Sequence, residues 1–284
     1  MKDQRTLSGT EDTPALKPPP SGLTAFLIGL SRTRIVRAMF RYYPVWLLLA
    51  AWEAIARAGL VDPMFMPPFS AALRTTINEL FGSGELLTHV GYSFARAGAG
   101  FGLAALVGIT LGIFMGRLRA VESFVDPLIS AIFPTPKLAL FPLMMVLLGI
   151  GDASKVALVF LGCFFPIVIN TYTGVKNVDE YFIWNARTKG ANSRQVLLSV
   201  VFPAALPYIF AGLRVATSTA FLLTVASELI ASNEGLGFII LYAQRSFNPE
   251  LMFGAILLVA TLGFAVDRLL LAVGRRLFSW QEQK

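Results

Sequence analysis

Residues 97–116 read AGAGFGLAALVGITLGIFMG, an unbroken run of 20 uncharged residues between Arg96 and Arg117. A run of about 20 apolar residues is long enough to cross the hydrocarbon core of a bilayer as a helix. The stretch therefore predicts a membrane span. It is rich in glycine, and small residues allow a neighbouring helix to approach closely. The glycines are Gly98, Gly100, Gly102, Gly108, Gly112 and Gly116.

The composition of the whole chain points the same way. Of 284 residues, 55% are hydrophobic and only 14% are charged, and the mean hydropathy is +0.66. Soluble globular domains carry about 25% charged residues, so this composition excludes an ordinary soluble domain. The single Cys163 excludes an intrachain disulfide and a thiolate zinc site, and the single His89 removes most histidine chemistry.

Further apolar segments predict an all-α, polytopic membrane protein with six transmembrane helices. The segment at 127–151 contains Pro127, Pro134, Pro136 and Pro142, which predicts a kinked or broken helix because proline lacks a backbone donor. The six predicted spans lie at about 44–61, 97–116, 127–151, 156–175, 203–230 and 251–273.

The distribution of basic residues predicts the orientation. Lys and Arg remain on the cytoplasmic side of a membrane, and sixteen of the 24 fall on one side if both termini are cytoplasmic. The net charge is +7, but these residues follow every cytoplasmic edge and do not form one aromatic-lined stripe. This pattern excludes nucleic-acid binding and favours contact with the lipid bilayer.

The segments outside the spans have their own patterns. Residues 1–22 are polar and predict a disordered cytoplasmic tail, and residues 23–43 predict a basic helix lying at the interface. The transmembrane domain then occupies 44–284. On the outer side, Ser70 can begin a surface helix that extends to about Phe81.

The longest inner connection, residues 176–202 between the fourth and fifth spans, exceeds an ordinary loop. We expect a short helix at 183–188, a left-handed turn at Gly190 and a second helix at 194–201 that Pro203 stops. Such a helical pair would project into the cytoplasm, where a partner protein can bind it.

Charged residues in the spans have alternative interpretations. Lys137 would either line a translocation path or pair with a carboxylate or with the carbonyls of a broken helix, because an isolated charge is costly there. Arg214 would extend towards the inner interface. Arg96 and Glu228 would mark the outer ends of two spans, with Glu228 able to contact an outer partner. Gly235 and Gly237 indicate a turn. The candidates for the path are Pro134, Pro136, Lys137, Arg214 and Glu228.

Residues 184–190, WNARTKG, and Val201-Phe202-Pro203 resemble the cytoplasmic E-A-A-x-x-x-G motif of bacterial ABC importer permeases and its apolar-Leu-Pro ending. Trp184 and Asn185 stand where that motif has Glu-Ala, and Phe202 stands in place of leucine. Six collinear blocks resemble the branch that imports nitrate, taurine, other sulfonates or bicarbonate. The blocks are WEAIARAGLVDPMFMPPFSAAL, SFARAGAGFGLAALVGITLGIFMG, PTPKLALFPLMMVLLGIGDASK, FFPIVINTYTGVKNVD, PYIFAGLRVA and ASELIASNEGLGFII.

The resemblance implies a permease subunit in a bacterial inner membrane. It also implies a homodimer, two cytoplasmic ABC ATPase subunits, an extracytoplasmic solute-binding protein and transport by alternating access. The solute would be small and anionic, and the resemblance leaves open whether it is a sulfonate, taurine, nitrate or bicarbonate. The ATPase would dock on Trp184, Asn185, Ala186, Arg187, Gly190, Ala191 and Pro203.

No G-x-x-x-x-G-K-[ST] phosphate loop occurs in the sequence. We therefore expect no catalytic residue, cofactor or metal in this chain, with ATP bound by the partner subunit. The alternative is a secondary transporter or channel driven by an ion gradient, which typically uses buried acids near the midplane. An intramembrane enzyme is excluded because the only histidine falls outside the predicted spans.

Overall fold

The computed structural model describes residues 42–277. The predicted tail at 1–22 and nearly all of the predicted interfacial helix at 23–43 lie outside these residues. The chain divides into two compact units, Met1–Ala54 and Ile55–Lys284, and the first helix, α1 (Tyr43–Arg57), crosses the boundary. Each unit is described by itself.

The second unit is all-helical over its described residues, as the sequence predicts. Ten helices follow α1: α2 (Phe69–Asn78), α3 (Glu85–Arg117), α4 (Arg119–Ile132), α5 (Phe141–Leu148), α6 (Asp152–Lys176), α7 (Glu180–Thr188), α8 (Ser193–Val196), α9 (Phe202–Ile230), α10 (Leu236–Arg245) and α11 (Pro249–Leu277).

Helices α3, α6 and α9 form the centre of this unit, with α6 packed between the other two. Glycines on one face of α3 bring α3 close to α6: a Cβ atom at Gly112 would lie 2.6 Å from Thr171 Cβ. Gly100, Gly108 and Gly116 make similar approaches, whereas Gly98 and Gly102 face open space. The predicted close packing is therefore confirmed for one glycine stripe, which repeats along the helix with the i, i+4 spacing.

The predicted break in the third span is present. Helix α4 and the segment Lys137–Leu148, a 3-10 turn followed by α5, meet at an angle of 91°. Pro134 and Pro136 lie in the break, where the chain is not helical. Proline cannot donate to the preceding turn, and it disfavours a helical conformation in the residue before it.

Four helices of the described chain are long and apolar enough to cross a membrane: Glu85–Arg117, Asp152–Lys176, Ser193–Ile230 and Pro249–Leu277. The bent pair around Pro134 makes a fifth if it is one span. Helix α1, which covers the predicted span at 44–61, has 15 residues, or about 22 Å of helix. The predicted span at 44–61 thus stays a prediction, and so does the count of six.

Helix α11 packs against α2 and α10. The approach to α2 is close, because a Cβ atom at Gly254 would lie 2.2 Å from Thr76 Oγ1. The predicted surface helix from Ser70 to about Phe81 corresponds to α2 together with a π-helical turn, Glu79–Ser83.

The expectation that Pro203 stops the second helix of the inner connection is wrong. Ser193–Val196 leads through a π-helical turn, Leu197–Val201, directly into α9, and Ser193–Ile230 is one helical segment. In the π turn the Phe202 N–H donates to the Leu197 carbonyl, five residues earlier. Pro203 therefore lies in the first turn of α9, where its missing donor interrupts little.

Candidate functional site

The first candidate site is the hairpin, which we define as residues 180–204: α7, α8, the π turn and the start of α9. Asp179 caps α7, since its side chain accepts a hydrogen bond from the Tyr181 N–H at 2.9 Å. The structure thus contains both predicted helices of this connection, and the first begins three residues earlier than the predicted residue 183.

Gly190 ends α7 in the left-handed conformation that the sequence predicts, with φ +86°. The Ala191 N–H donates to the Ala186 carbonyl at 3.1 Å, and the Gly190 N–H donates to the Arg187 carbonyl at 2.9 Å. This pair of bonds is a Schellman motif, which satisfies the last carbonyls of a helix. No atom lies within 4 Å of a Cβ built on Gly190, so only the backbone conformation requires glycine there.

Reciprocal hydrogen bonds start α8. The Asn192 side chain accepts from the Gln195 N–H, and the Gln195 side chain accepts from the Asn192 N–H, both at 2.9 Å.

Beneath the hairpin, apolar residues form a core that joins it to the ends of α6 and α9. Its buried members are Val175, Val178, Val196, Val201, Ala205 and Ile209. The hairpin is thereby held on the two central helices.

A groove of about 520 Å³ opens between α7 and the start of α9. Asn185, Ala186 and Pro203 line it, and so do Phe182 and Lys189. Trp184 lies outside this lining and is 73% exposed, which is unusual for so large an apolar side chain. Of the other predicted docking residues, Arg187 and Gly190 are exposed and Ala191 packs on the core beneath.

A second region of interest is the Arg96 cluster, defined as Ser93, Arg96 and Glu228 with the backbone of Gly235–Gly237. It lies at the other end of α9. Arg96 Nη1 and Glu228 Oε1 are 2.7 Å apart, and the two side chains are 5% and 0% exposed. The Glu228 carboxylate also accepts from the Ser93 hydroxyl and, at 3.0 Å, from the Gly237 N–H. A buried ion pair with such added hydrogen bonds has its charges compensated.

The glycines of the Gly235–Gly237 turn are required by this cluster. Gly235 has φ +106°, and a Cβ atom there would lie 2.2 Å from Glu228 Oε1. Its N–H donates to His89 Nδ1 at 3.0 Å, so that nitrogen is an unprotonated acceptor. Sequence reasoning identified the turn but missed the roles of His89 and Ser93. Their only signal was position: Ser93 begins the block SFARAGAG, and His89 lies just before it.

These positions correct two expectations. Arg96 does not open its helix, because α3 begins at Glu85, and its charge is buried. Glu228 is completely buried, so it presents no surface to an outer partner in this structure. Buried ionisable side chains pair with each other when the surroundings are apolar. Neither the residue types nor their positions in the spans reveal that these two side chains meet.

A cleft of about 540 Å³ lies beside the Arg96 cluster. It is lined by Arg96, by Asp152 and Lys155 at the start of α6, and by residues at the end of α9, in the following loop and on α10. Asp152 Oδ1 lies 2.7 Å from Arg96 Nε. The remaining lining residues are Ile150, Gly151, Leu229, Ile230, Ala231, Ser232, Asn233, Glu234, Leu241 and Arg245.

The predicted path residues fall in three separate places. Lys137 Nζ donates to the carbonyls of Ile132, Phe133 and Thr135, and so closes the end of α4 beside the exposed Pro134 and Pro136. This geometry matches the broken-helix alternative for Lys137. Arg214 pairs with Asp267 on α11 at 2.9 Å. Glu228 is about 21 Å further along α9, at 1.5 Å per residue.

The sequence of residues 108–279 matches the family of binding-protein-dependent transport system inner membrane components. The chain belongs to this family. Over its described residues the permease is all-helical and contains several membrane-length apolar helices, as an inner membrane component of an ABC transporter requires. Among residues 42–277 there is no group of three or more His, Cys, Asp or Glu side chains that could hold a metal ion.

Curated relatives of the permease match most of its length. A putative ABC transporter permease of Methanocaldococcus jannaschii is 36% identical over 83% of this chain and 90% of the relative. The taurine transport permease of Escherichia coli is 35% identical over 82% and 86%. The nitrate import permease of Synechocystis is 30% identical over 78% and 82%.

A solved structure supports the fold of the permease. The inward-facing methionine ABC transporter superposes with a TM-score of 0.53 and 19% identity, over 67% of this chain and 97% of that chain. The predicted ABC importer permease fold is confirmed by this similarity together with the family match.

Proposed function

We propose that the permease forms the path by which a small anionic solute crosses the inner membrane. The solute is a sulfonate, taurine, nitrate or bicarbonate that a binding protein delivers on the outer side. The observation that carries this proposal is the similarity over most of the chain to permeases named for taurine, aliphatic sulfonates and nitrate.

The energy comes from two ATPase subunits, one of which docks on the hairpin of each copy in a homodimer. The groove beside α7 supports this assignment, and so do the exposed aromatic side chains around it: Phe182 is 58% exposed and Trp184 is 73% exposed. Large aromatic side chains dominate the binding energy of protein interfaces. The absence of a phosphate loop from this sequence is in keeping with ATP hydrolysis by another chain.

The hairpin is suited to transmit movement. Its buried valines join α6 and α9, and Phe202 and Glu228 are separated by 26 residues of α9, or about 39 Å. Closure of the ATPases on bound ATP would displace the hairpin and tilt α9, which opens the path outward, and hydrolysis would reverse the movement. The hairpin and both termini are cytoplasmic in this arrangement, in agreement with the positive-inside rule.

Replacing Gly190 with valine tests the docking role. A β-branched residue at φ +86° costs roughly 1–3 kcal/mol of backbone strain and should displace the end of α7. We expect the tagged permease, expressed from its native locus, to lose its co-purifying ATPase, the ATP hydrolysis of the purified complex and solute uptake.

Gly84→Val is the matched control. Gly84 also has a positive φ, +73°, with no atom within 4 Å of a built Cβ, but it precedes α3 far from the hairpin in sequence. This variant should retain the ATPase. Trp184→Ala is a second test that leaves the backbone unchanged, and it should weaken ATPase binding. A fully active Gly190→Val complex would refute docking at the hairpin.

A further inference from the structure

The cleft beside the Arg96 cluster contains a buried ammonium group that no carboxylate contacts directly. Lys155 lies in the first turn of α6 and is 3% exposed. Its Nζ donates to the Gly151 carbonyl at 3.1 Å. Among the residues that the structure describes, no carboxylate lies within 4.0 Å of this nitrogen.

The neighbouring carboxylates all lie nearer to the Arg96 guanidinium than to Lys155 Nζ. Asp152 and Glu228 lie 2.7 Å from its guanidinium, and Glu234 Oε2 lies 3.9 Å from it. The Glu234 carbonyl also accepts from Arg96 at 2.8 Å. Within one small region, therefore, one buried cation has three anionic neighbours, while the other has a single neutral acceptor.

Burial of an ammonium group without a counter-charge is unfavourable. An ammonium has three donors, and a carbonyl oxygen occupies one of those of Lys155. Lys155 also stands at the start of a 25-residue helix whose N-cap, Gly151, provides no side-chain cap. Such a helix end adds a partial positive charge, which Asp152 in the first turn partly offsets. An anion in the cleft would give Lys155 Nζ a charged acceptor.

We infer that this cleft binds a small monovalent oxyanion against Lys155 Nζ, as a reception site for the transported solute. Sulfonate, nitrate and bicarbonate share this chemistry. The inference rests on the proposed function, and it assigns the place where the path first holds the solute. The volume of about 540 Å³ accommodates such an ion together with water. Asp152, Glu228 and Glu234 nearby repel any anion, and they repel a divalent anion more strongly than a monovalent one.

The test is a calorimetric titration of the assembled permease and ATPase complex in lipid nanodiscs, without binding protein. Sodium methanesulfonate and sodium nitrate are the probes, and sodium sulfate is the divalent comparison, all at constant ionic strength. We expect saturable binding of the monovalent probes and weaker binding of sulfate. Lys155→Met should raise the Kd about tenfold or more, as expected for the loss of a charge-assisted hydrogen bond.

Matched variants separate charge from folding. Lys155→Arg keeps the charge and should keep binding. Lys176→Met removes a lysine from the last turn of the same helix, where it pairs with Glu122, and should leave the Kd unchanged. If Lys155→Met does not assemble, Lys155→Gln replaces it, because glutamine removes the charge while retaining a donor for the Gly151 carbonyl.

Three results would overturn the inference: absence of saturable binding to the wild-type complex, equal binding by the variants without charge, or tighter binding of sulfate. Each of these results is measured on a complex that retains the ATPase, so it leaves the proposed function intact. A permease that co-purifies with no ATPase would instead refute the proposed function.

Discussion

The Arg96 cluster and the hairpin lie at opposite ends of α9 and are built from different interactions. In the cluster, charged side chains are buried and hydrogen-bonded to each other and to a glycine turn. In the hairpin, backbone caps form the turns, an apolar core holds them, and Trp184 remains exposed. One end is specified by internal polar contacts, and the other keeps its large side chains available for a partner.

The largest expected effect is at the Arg96 cluster. Arg96→Met leaves the Glu228 carboxylate buried without its cation, and breaking a buried ion pair costs about 3–5 kcal/mol. We expect a large fall in the Tm of the detergent-purified permease. In Lys176→Met the broken pair with Glu122 is partly exposed, which costs about 0–1 kcal/mol. Equal losses in the two variants would show that burial does not distinguish these pairs.

An intermediate effect is expected from alanine at the two left-handed glycines. Gly190→Ala introduces only backbone strain, about 1–2 kcal/mol. Gly235, with φ +106° and ψ +169°, lies in a region that is open essentially to glycine alone. Gly235→Ala also places a methyl group 2.2 Å from Glu228 Oε1, which adds about 1–3 kcal/mol of overpacking. Chemical denaturation of the two variants in one detergent should rank Gly235→Ala as the less stable. The reverse order would mean that the Glu228 carboxylate moves aside freely.

The smallest effect is expected from the capping box of the hairpin. Asn192→Ala removes one of its two hydrogen bonds and should cost about 1 kcal/mol. Because the cap is local, hydrogen exchange should accelerate in residues 193–198 and stay unchanged around Arg96. Asn177→Ala, at an exposed position just after α6, is the control. Faster exchange at both ends of α9 would show that the two regions unfold together.

Much of the fold could be predicted from local patterns. The uncharged run at 97–116, the prolines around residue 134 and the glycine at 190 each produced a correct expectation, because each acts through chain length or backbone geometry. The continuation of the helix through Pro203 could not be predicted in this way. A π-helical turn allows the helix to continue into Pro203, and no sequence pattern marks the hydrogen-bond register of this turn.

The two candidate sites also differ in how far the sequence predicts them. The hairpin was recognisable because its residues are contiguous, although only Asn185, Ala186 and Pro203 among the predicted residues line the groove. The Arg96 cluster joins residues up to 143 positions apart, and none of its pairings follows from spacing. Lys137 shows the converse, since its mid-span charge is satisfied within five residues by the end of α4.

The sequence by itself determined that this chain is a helical membrane protein, where its apolar helices lie and where its longest inner connection turns, while its resemblance to ABC importer permeases indicated the family. These features depend on local composition and backbone preference, which act within one helix or one turn. Only the tertiary structure decided which charges meet. Three carboxylates lie within 3.9 Å of the Arg96 guanidinium, and none lies within 4.0 Å of Lys155 Nζ. The reason is that glycine-mediated packing of α3 on α6, and of α6 on α9, places side chains that are distant in sequence together in buried surroundings.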